Sequence, residues 1–459
     1  MFSSRKTAAP STGYNLTKSL RFRSSATAYL NRTPGSASNR KTWTWSAWVK
    51  RGTLSTTGVL ISSYTSASDT NYSVLSLPSG DNLYFGGAAT DWMRTSAVYR
   101  DPAAWYHIVF VLDTTQATST NRWKLYVNGT QVTSFSTANY PAQNADLAIN
   151  QAGLTRIGYD AQSANPFDGY LSEVNFIDGQ ALTPSSFGST NALTGVWQPA
   201  KYTGTYGTNG FYLPFTNITS TSTLGNDSSG NGNNWTTNNI SLTTGSTYDS
   251  MYDVPTLTSA TVANYCVLNP LDNGGATISN ANLTLTANGA NHYYNRGSMR
   301  FPTSGKYYWE STVTLTSASR SGLGVALSSI ALNAFPFGTA GVYGFYYGDS
   351  SNNLYWESGT STSVFTVAGA TGDVIQFAYD ADNNNLYAGK NNVFYSSTGA
   401  TTGNPSTLTN PTSTGVTSSS GYFPLIGCYS AGSTSSNFGQ QPFTYTPPTG
   451  FVALNTYNL

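Results

Sequence analysis

Cysteine and histidine are almost absent from this chain of 459 residues, which contains two of each. The two cysteines, Cys266 and Cys428, are too few for a disulfide framework, and both lie in apolar strand-like stretches, so we expect buried thiols. The two histidines, His107 and His292, form no His-Glu-x-x-His motif and therefore do not indicate a zinc site. His107 stands among apolar and aromatic residues, where we expect it to pack. We predict no metal and no other cofactor.

Charged residues are scarce as well, at 9% of the chain, and the net charge is only +1. Such a chain offers no general electrostatic field for a nucleic acid, so none is expected as a partner. Glutamate occurs only as Glu173, Glu310 and Glu357, and no two of these are close in the sequence. Glycosidases of the two-carboxylate type need a pair of acids beside the scissile bond, so we do not expect an enzyme by this route.

Long apolar runs and helical periodicity are also missing. No stretch approaches the roughly 18 consecutive apolar residues of a membrane helix, and the N-terminus lacks the apolar segment of a signal peptide. We therefore expect synthesis in a cytoplasm and no membrane insertion. No heptad pattern predicts a coiled coil.

Glycine, tyrosine and short runs of Ser, Thr and Asn dominate instead, which indicates a loop-rich all-β protein. Residues 105–113 form a β-branched and aromatic run, and residues 123–132 return with alternating apolar positions and a turn at Asn128-Gly129. Asn-Gly tolerates positive φ and is the strongest short hairpin signal. Residues 374–392 repeat the arrangement in the second half of the chain. We therefore predict two jelly-roll β-sandwiches in tandem.

Turn-rich stretches place the domain boundaries. The predicted parts are a basic N-terminal arm at 1–18, a first sandwich at 19–190, a loop-rich connector at 191–262 and a second sandwich at 263–459. In the first sandwich, alternation predicts that Trp43, Trp45 and Ala47 share one face of a strand while Trp48 points to the other. The Asp- and Asn-rich stretch 226–235 lacks the spacing of an EF-hand and is interpreted as a plain loop.

Basic residues are concentrated at the start of the chain. The first 51 residues hold ten basic residues and no acidic one, whereas the remainder holds eleven basic and twenty acidic residues. One interpretation is a set of solvated outward positions, because Arg21 and Arg23 flank the inward Phe22. The other is a basic face that docks on an acidic partner. That docking face would consist of Arg5, Lys6, Lys18, Arg21 and Arg23.

Two family resemblances rest on particular stretches. Residues 43–49, 105–109, 125–129 and 167–174 together resemble laminin-G-like domains of the concanavalin type. Residues 305–310, 372–380 with the turn at 391–392, and 437–443 resemble a SPRY (B30.2-like) domain, although Gln376 and Asn392 stand where that family more often has glycine.

The pairing of these domains and the ending 445–459 resemble virion proteins of bacteriophages. The resemblance implies a non-enzymatic surface protein of the virion, made in the host cytoplasm. Its partners would be other virion proteins, host surface polysaccharide and further copies of the same chain in a homo-oligomer.

Glycan binding needs aromatic faces for stacking and polar groups at loop ends. The candidate glycan-binding residues are Asp91, Trp92, Tyr159, Asp160, Tyr346, Tyr347 and Trp356. Each is also an ordinary core or surface residue by type, because Tyr and Trp are commonly half-buried. Three functions stay open: a fibre or adhesin that binds host glycans, a capsid or tail decoration protein that contacts other virion proteins, and a polysaccharide-cleaving enzyme using Glu173 or Glu310.

Overall fold

The computed structural model describes residues 13–315, 320–348 and 353–459 and divides into two compact units. The first unit runs to Thr243 and includes Tyr248–Thr258, and the second comprises Thr244–Thr247 and Ser259–Leu459. Within the described ranges, helix is limited to 3₁₀ turns at Ser24–Ala26, Ser119–Asn121, Pro184–Ser186, Ser222–Gly225 and Ser418–Ser420. None of these turns has the length of a membrane span. The all-β prediction with paired sandwiches is confirmed.

The first unit is built from eighteen described strands. They are β1 Ser19–Phe22, β2 Tyr29–Arg32, β3 Thr42–Arg51, β4 Gly58–Tyr64, β5 Tyr72–Leu77, β6 Asn82–Gly86, β7 Asp91–Val98, β8 Trp105–Asp113, β9 Trp123–Val127, β10 Thr130–Gln131, β11 Phe135–Ala138, β12 Leu154–Ile157, β13 Gly169–Asp178, β14 Gly188–Thr190, β15 Trp197–Pro199, β16 Phe211–Leu213, β17 Thr236–Asn238 and β18 Ser250–Met251.

Sixteen of these strands form two eight-stranded antiparallel sheets, and β14 and β15 pair with each other separately. Sheet A has the order β10-β9-β8-β3-β13-β1-β18, with β16 also on β13, and sheet B has the order β11-β7-β6-β5-β4-β12-β2-β17. The Asn128-Gly129 turn joins β9 to β10 with both residues at positive φ, as predicted. Trp43 of sheet A lies 6.2 Å from Phe85 of sheet B, between their ring centroids, so the core fills the space between the sheets.

Strand β3 shows how alternation decides burial. Trp43, Trp45 and Ala47 belong to the core between the sheets, whereas Trp48 points to the outer face of sheet A, as predicted. Strand β13 pairs along the whole of β3 but loses register between Ser172 and Asn175. This β-bulge re-aims the side chain of the inserted residue.

The stretch 191–262, predicted as a connector, contributes strands to the first sandwich. Strand β16 pairs with β13, β17 with β2, and β18 with β1. The stretch 226–235 folds as a turn in which the Asp227 carboxylate accepts bonds from the amides of Tyr212, Ser229 and Asn233. Polar Asn and Ser residues satisfied by local backbone bonds explain why this segment resembles a loop in sequence.

The second unit contains the remaining sixteen described strands. They are β19 Leu268–Asn273, β20 Thr277–Ser279, β21 Thr284–Thr286, β22 Tyr293–Gly297, β23 Lys306–Thr314, β24 Arg320–Leu327, β25 Val342–Tyr347, β26 Asn353–Ser358, β27 Ser361–Ala368, β28 Val374–Asp380, β29 Asn385–Lys390, β30 Val393–Tyr395, β31 Ser413–Thr414, β32 Tyr422–Tyr429, β33 Ser433–Asn437 and β34 Val452–Ala453.

Two sheets again enclose a core. Sheet C has the order β19-β22-β32-β24-β25-β26-β27, and sheet D has the order β20-β21-β33-β23-β28-β29-β30, with β31 on β29 and β34 parallel to β23. Strands β28 and β29 form the predicted hairpin, and Asn391 and Asn392 turn into β30 at positive φ. Trp309 of sheet D and Phe345 of sheet C share the core, in which Cys266 and Cys428 are buried as free thiols.

Candidate functional site

A row of aromatic side chains lies on the outer face of sheet C, the face turned away from the core of the second unit. Tyr346 on β25 and Tyr355 on β26 are cross-strand partners, and their rings stack with centroids 5.1 Å apart at 18°. Phe335, from the loop before β25, meets the Tyr346 ring edge-on at 5.0 Å. We call Tyr355, Tyr346, Phe335, His292 and Tyr429 the aromatic row.

The row continues across the sheet through His292, just before β22. Its imidazole lies 5.2 Å from the ring of Phe335 and 4.6 Å from the ring of Tyr429 at the end of β32. Phe335 is 40% exposed, and the other four rings are half-buried. Each contact leaves part of a ring face or edge at the surface, so the row offers stacking area to a ligand.

Two glycines let the rings beneath the row lie close to the strands. A side chain at Gly427 would meet the Tyr294 ring at 2.1 Å, and one at Gly322 would meet the Phe337 ring at 2.6 Å. Tyr294 and Phe337 are therefore held against the backbone of sheet C and are buried. Phe337 in turn lies 5.5 Å from Phe335 and fixes the loop that presents it.

The predicted residues of the second unit divide by strand parity. Tyr346, which was predicted as a glycan contact, belongs to the aromatic row and is partly exposed. Tyr347 and Trp356 point the other way and are completely buried, so the structure does not support their prediction as glycan contacts. Successive side chains of a strand face opposite sides, and Tyr355 rather than Trp356 is the outward residue of β26. Four members of the row were not predicted from the sequence: Phe335, His292, Tyr355 and Tyr429. For Tyr355 a signal existed, because its apolar neighbours Leu354 and Trp356 indicate that it faces outward.

The first predicted site of the first unit lies on β7. The Asp91 carboxylate accepts a bond from the Tyr84 hydroxyl at 2.7 Å and pairs with Arg94 at 3.3 Å. Trp92 packs against the core, and its indole nitrogen is buried without a hydrogen-bond partner among the described residues. Trp92 is therefore half-buried and packed against the core of its own unit.

The second predicted site of the first unit is largely occupied by its own neighbours. Asp160 is buried and accepts a bond from the Tyr72 hydroxyl at 2.7 Å. Tyr159 is half-buried, 5.3 Å from the ring of Tyr29, with the Arg156 guanidinium 5.1 Å from its centroid. Both residues have a local structural role.

The predicted docking face differs from the structure where the structure describes it. The Arg21 guanidinium is 1% exposed and bonds the Asp249 carboxylate at 3.0 Å, and Arg23 bonds the same carboxylate at 2.8 Å. The Lys18 ammonium lies 3.7 Å from the centroid of the Tyr252 ring, and burial lowers the pKa of Lys18 to about 8. Arg21 and Lys18 are therefore buried, and Arg23 is half-buried with its guanidinium paired to Asp249. Arg5 and Lys6 lie outside the described residues.

His107 occupies the outer face of sheet A as a packing residue. The Trp197 indole N–H donates to His107 Nδ1 at 2.9 Å, so Nε2 carries the proton and donates to the Ser46 hydroxyl at 2.9 Å. The imidazole stacks on Trp48 with centroids 4.9 Å apart. Complete burial lowers the pKa of His107 to about 3, so the ring is neutral in the folded protein.

The two glutamates considered for catalysis have different surroundings. Glu310 accepts bonds from the Tyr308 hydroxyl and from the amides of Thr444 and Tyr445, and so fixes the C-terminal segment. Glu173 is the residue inserted at the bulge of β13, has φ +56° and lines a cleft of about 240 Å³. Burial raises the pKa of Glu173 to about 7, and it is the only carboxylate among the described residues lining this cleft.

Comparison with known proteins gives a partial family match. Residues 24–186 match the laminin G model described as the concanavalin A-like lectin/glucanases superfamily, which confirms the resemblance predicted for the first sandwich. No curated protein sequence matches the chain.

Solved structures similar to parts of the chain include the SPRY domain of human HERC1, at 16% identity over 39% of this chain and 99% of that one, with a TM-score of 0.29. A protein of Bacteroides ovatus described as carbohydrate-binding has 19% identity over 49% of this chain and 59% of its own, with a TM-score of 0.32. A pentraxin from Limulus polyphemus has 17% identity over 42% of this chain and 95% of its own, with a TM-score of 0.29.

Proposed function

We propose that the protein binds glycans without cleaving them and that the aromatic row of the second unit is the contact surface. The observation that carries the proposal is the continuous run of partly exposed rings, since ring faces bind the apolar faces of sugars. The family matched by residues 24–186 is named for lectins and glucanases, which is compatible with a carbohydrate ligand.

A glycan array tests this proposal. Tyr346→Ala and Tyr355→Ala are expected to abolish array binding, because each removes one of the two stacked rings. Tyr457→Ala is the matched control, since Tyr457 is an exposed tyrosine of the same unit outside the row. Equal binding by the wild type and the two row variants would contradict the proposal.

The same proposal includes that the protein does not hydrolyse the glycan that it binds. Two-carboxylate hydrolysis needs a second acid beside the first, and no other acid among the described residues lines the Glu173 cleft. Hydrolysis of a bound polysaccharide by the purified protein, lost in Glu173→Gln, would establish an enzyme instead.

The resemblance to phage virion proteins supports display on a virion, where the chain acts as a fibre-type adhesin. The alternative is a decoration protein that contacts other virion proteins. Virions carrying Tyr346→Ala distinguish the two, because an adhesin variant assembles normally but adsorbs poorly to host cells. Normal adsorption by assembled variant virions would favour decoration.

Attachment to the particle is tested separately by deleting residues 1–12. A longer deletion to residue 18 is unsuitable, because Leu16 is buried and its amide bonds the hydroxyl of Thr256. Failure of the shortened chain to enter particles, with an unchanged unfolding midpoint, would support docking through this segment. Normal incorporation would exclude it.

A further inference from the structure

Glu173 in the first unit is held in a costly conformation. It is 5% exposed, and its φ of +56° lies in the left-handed region, which a glutamate side chain disfavours. Such backbone strain costs roughly 1–3 kcal/mol and is concentrated at active sites, ligand clamps and switch regions. Glu173 stands at the register shift of β13, and its buried carboxyl group lines the cleft.

Two phenols complete the polar wall of the cleft. The Tyr212 hydroxyl donates to the Glu173 carboxylate at 3.0 Å, and the Tyr14 hydroxyl lies 2.6 Å from that of Tyr212. Burial, and next the charge of Glu173, raise the pKa of Tyr14. Tyr212 comes from β16, whereas Tyr14 precedes β1, so separate segments of the unit converge on one carboxyl group.

The charges around the cleft are nearly balanced. The exposed Lys201 lines it and interacts favourably with Glu173. Lys18 also lines it, but its ammonium lies over the ring of Tyr252, which is outside the lining. Apart from Lys18, the polar groups of the lining are thus one carboxyl, one ammonium and two phenol hydroxyls, together with the side chains of Asn15, Thr17 and Thr216.

We propose that this cleft is a second carbohydrate site, one that takes a single neutral sugar residue. Glu173 accepts hydrogen bonds from sugar hydroxyls and Lys201 donates to sugar oxygens, while the Tyr14 and Tyr212 oxygens, whose own protons bond Tyr212 and Glu173, serve as further acceptors. A small concave site with a few convergent polar groups is the usual form of a small-ligand pocket. The cleft belongs to the first unit, so this inference goes beyond the function proposed for the aromatic row.

Calorimetric titration of the full chain with methyl glycosides of glucose, galactose, mannose and N-acetylglucosamine tests the proposal. At least one glycoside is expected to bind the wild type. Glu173→Gln and Tyr212→Phe are each expected to weaken that binding roughly tenfold, as the loss of a hydrogen bond to a charged group does. Tyr206→Phe is the matched control, because it removes a neighbouring phenol hydroxyl that bonds Asn175 and does not line the cleft.

Tyr346→Ala separates the two sites, because it is expected to leave glycoside binding at the cleft unchanged while removing array binding. Glu173→Gln keeps the shape of the side chain and relieves a buried charge, so folding does not obscure the result. Three outcomes would overturn the proposal: no binding by the wild type, equal binding by Glu173→Gln, or binding of methyl glucuronide alone.

Discussion

The outer faces of sheets A and C differ in how far the chain itself covers them. On sheet A, the chain itself covers buried charges: the Lys50 ammonium bonds Asp253 at 2.7 Å with both side chains fully buried, and the Trp105 indole donates to the same carboxylate. On sheet C, rings of the aromatic row stay partly exposed. A face whose polar groups are internally satisfied has little left for a ligand, whereas partly covered rings retain stacking area.

The largest expected loss of stability comes from removing the buried Lys50–Asp253 ion pair on the outer face of sheet A. Asp253→Ala leaves the buried Lys50 ammonium without its carboxylate, which costs about 3–5 kcal/mol for a fully buried pair. Asp272→Ala is the control, because Asp272 pairs with Arg296 but its side chain is 37% exposed. Urea unfolding of the two variants measures the difference. Equal losses of stability in the two variants would contradict the claim that the Lys50–Asp253 pair is costly to break because it is buried.

The next largest effect is the pH dependence of stability that the raised pKa of Glu173 causes. The folded-state pKa of about 7 exceeds the ordinary value of 4.5, so the contribution of Glu173 is fully present below pH 4.5 and is lost as the pH rises through 7. Glu173→Gln is expected to stabilise the protein at pH 8 by about 3 kcal/mol and to change little at pH 4. A pH-independent effect of the substitution in urea unfolding would contradict this.

His107 gives a smaller effect of opposite sign. Its pKa of about 3 in the folded protein lies below the ordinary value of 6.5, so its contribution is present above pH 6.5 and is lost as the pH falls towards 3. Between pH 7 and pH 5, the wild type should lose about 2 kcal/mol that His107→Gln does not. Parallel stability profiles for the two proteins would show that His107 is protonated without cost.

The smallest expected effect on stability comes from the outer face of sheet C. Tyr355→Ala should cost about 1 kcal/mol or less, because its ring is half-buried on the surface. Its neighbour Trp356 is fully buried, and Trp356→Ala should cost about 3–5 kcal/mol. Thermal unfolding of both variants tests the strand parity, and a costly Tyr355→Ala would mean that the row is core rather than surface.

Much of the fold was predictable from local patterns. The Asn128-Gly129 turn and the alternation of Trp43, Trp45 and Ala47 each depend on neighbours in sequence, so the hairpin and the buried face were predicted correctly. The pairing of Arg21 with Asp249 joins residues 228 positions apart, and that of Lys50 with Asp253 joins residues 203 apart. No local pattern indicates such partners, so the interpretation of Arg21 and Lys50 as solvated outward positions was wrong.

The candidate site was predicted only in part for a related reason. Tyr346 was identified, but a run such as Tyr346-Tyr347 does not reveal which ring faces outward until the register with β26 is known. Phe335 joins the row through a loop, and His292 through a different segment. Their convergence is a property of tertiary structure alone.

The most direct test of glycan binding by the aromatic row is a crystal structure of the protein with an oligosaccharide selected on the array. We expect a sugar ring stacked on Tyr346 or Tyr355, in contact with Phe335, and an intact glycosidic linkage. A sugar bound only away from the aromatic row, or a cleaved linkage, would contradict it.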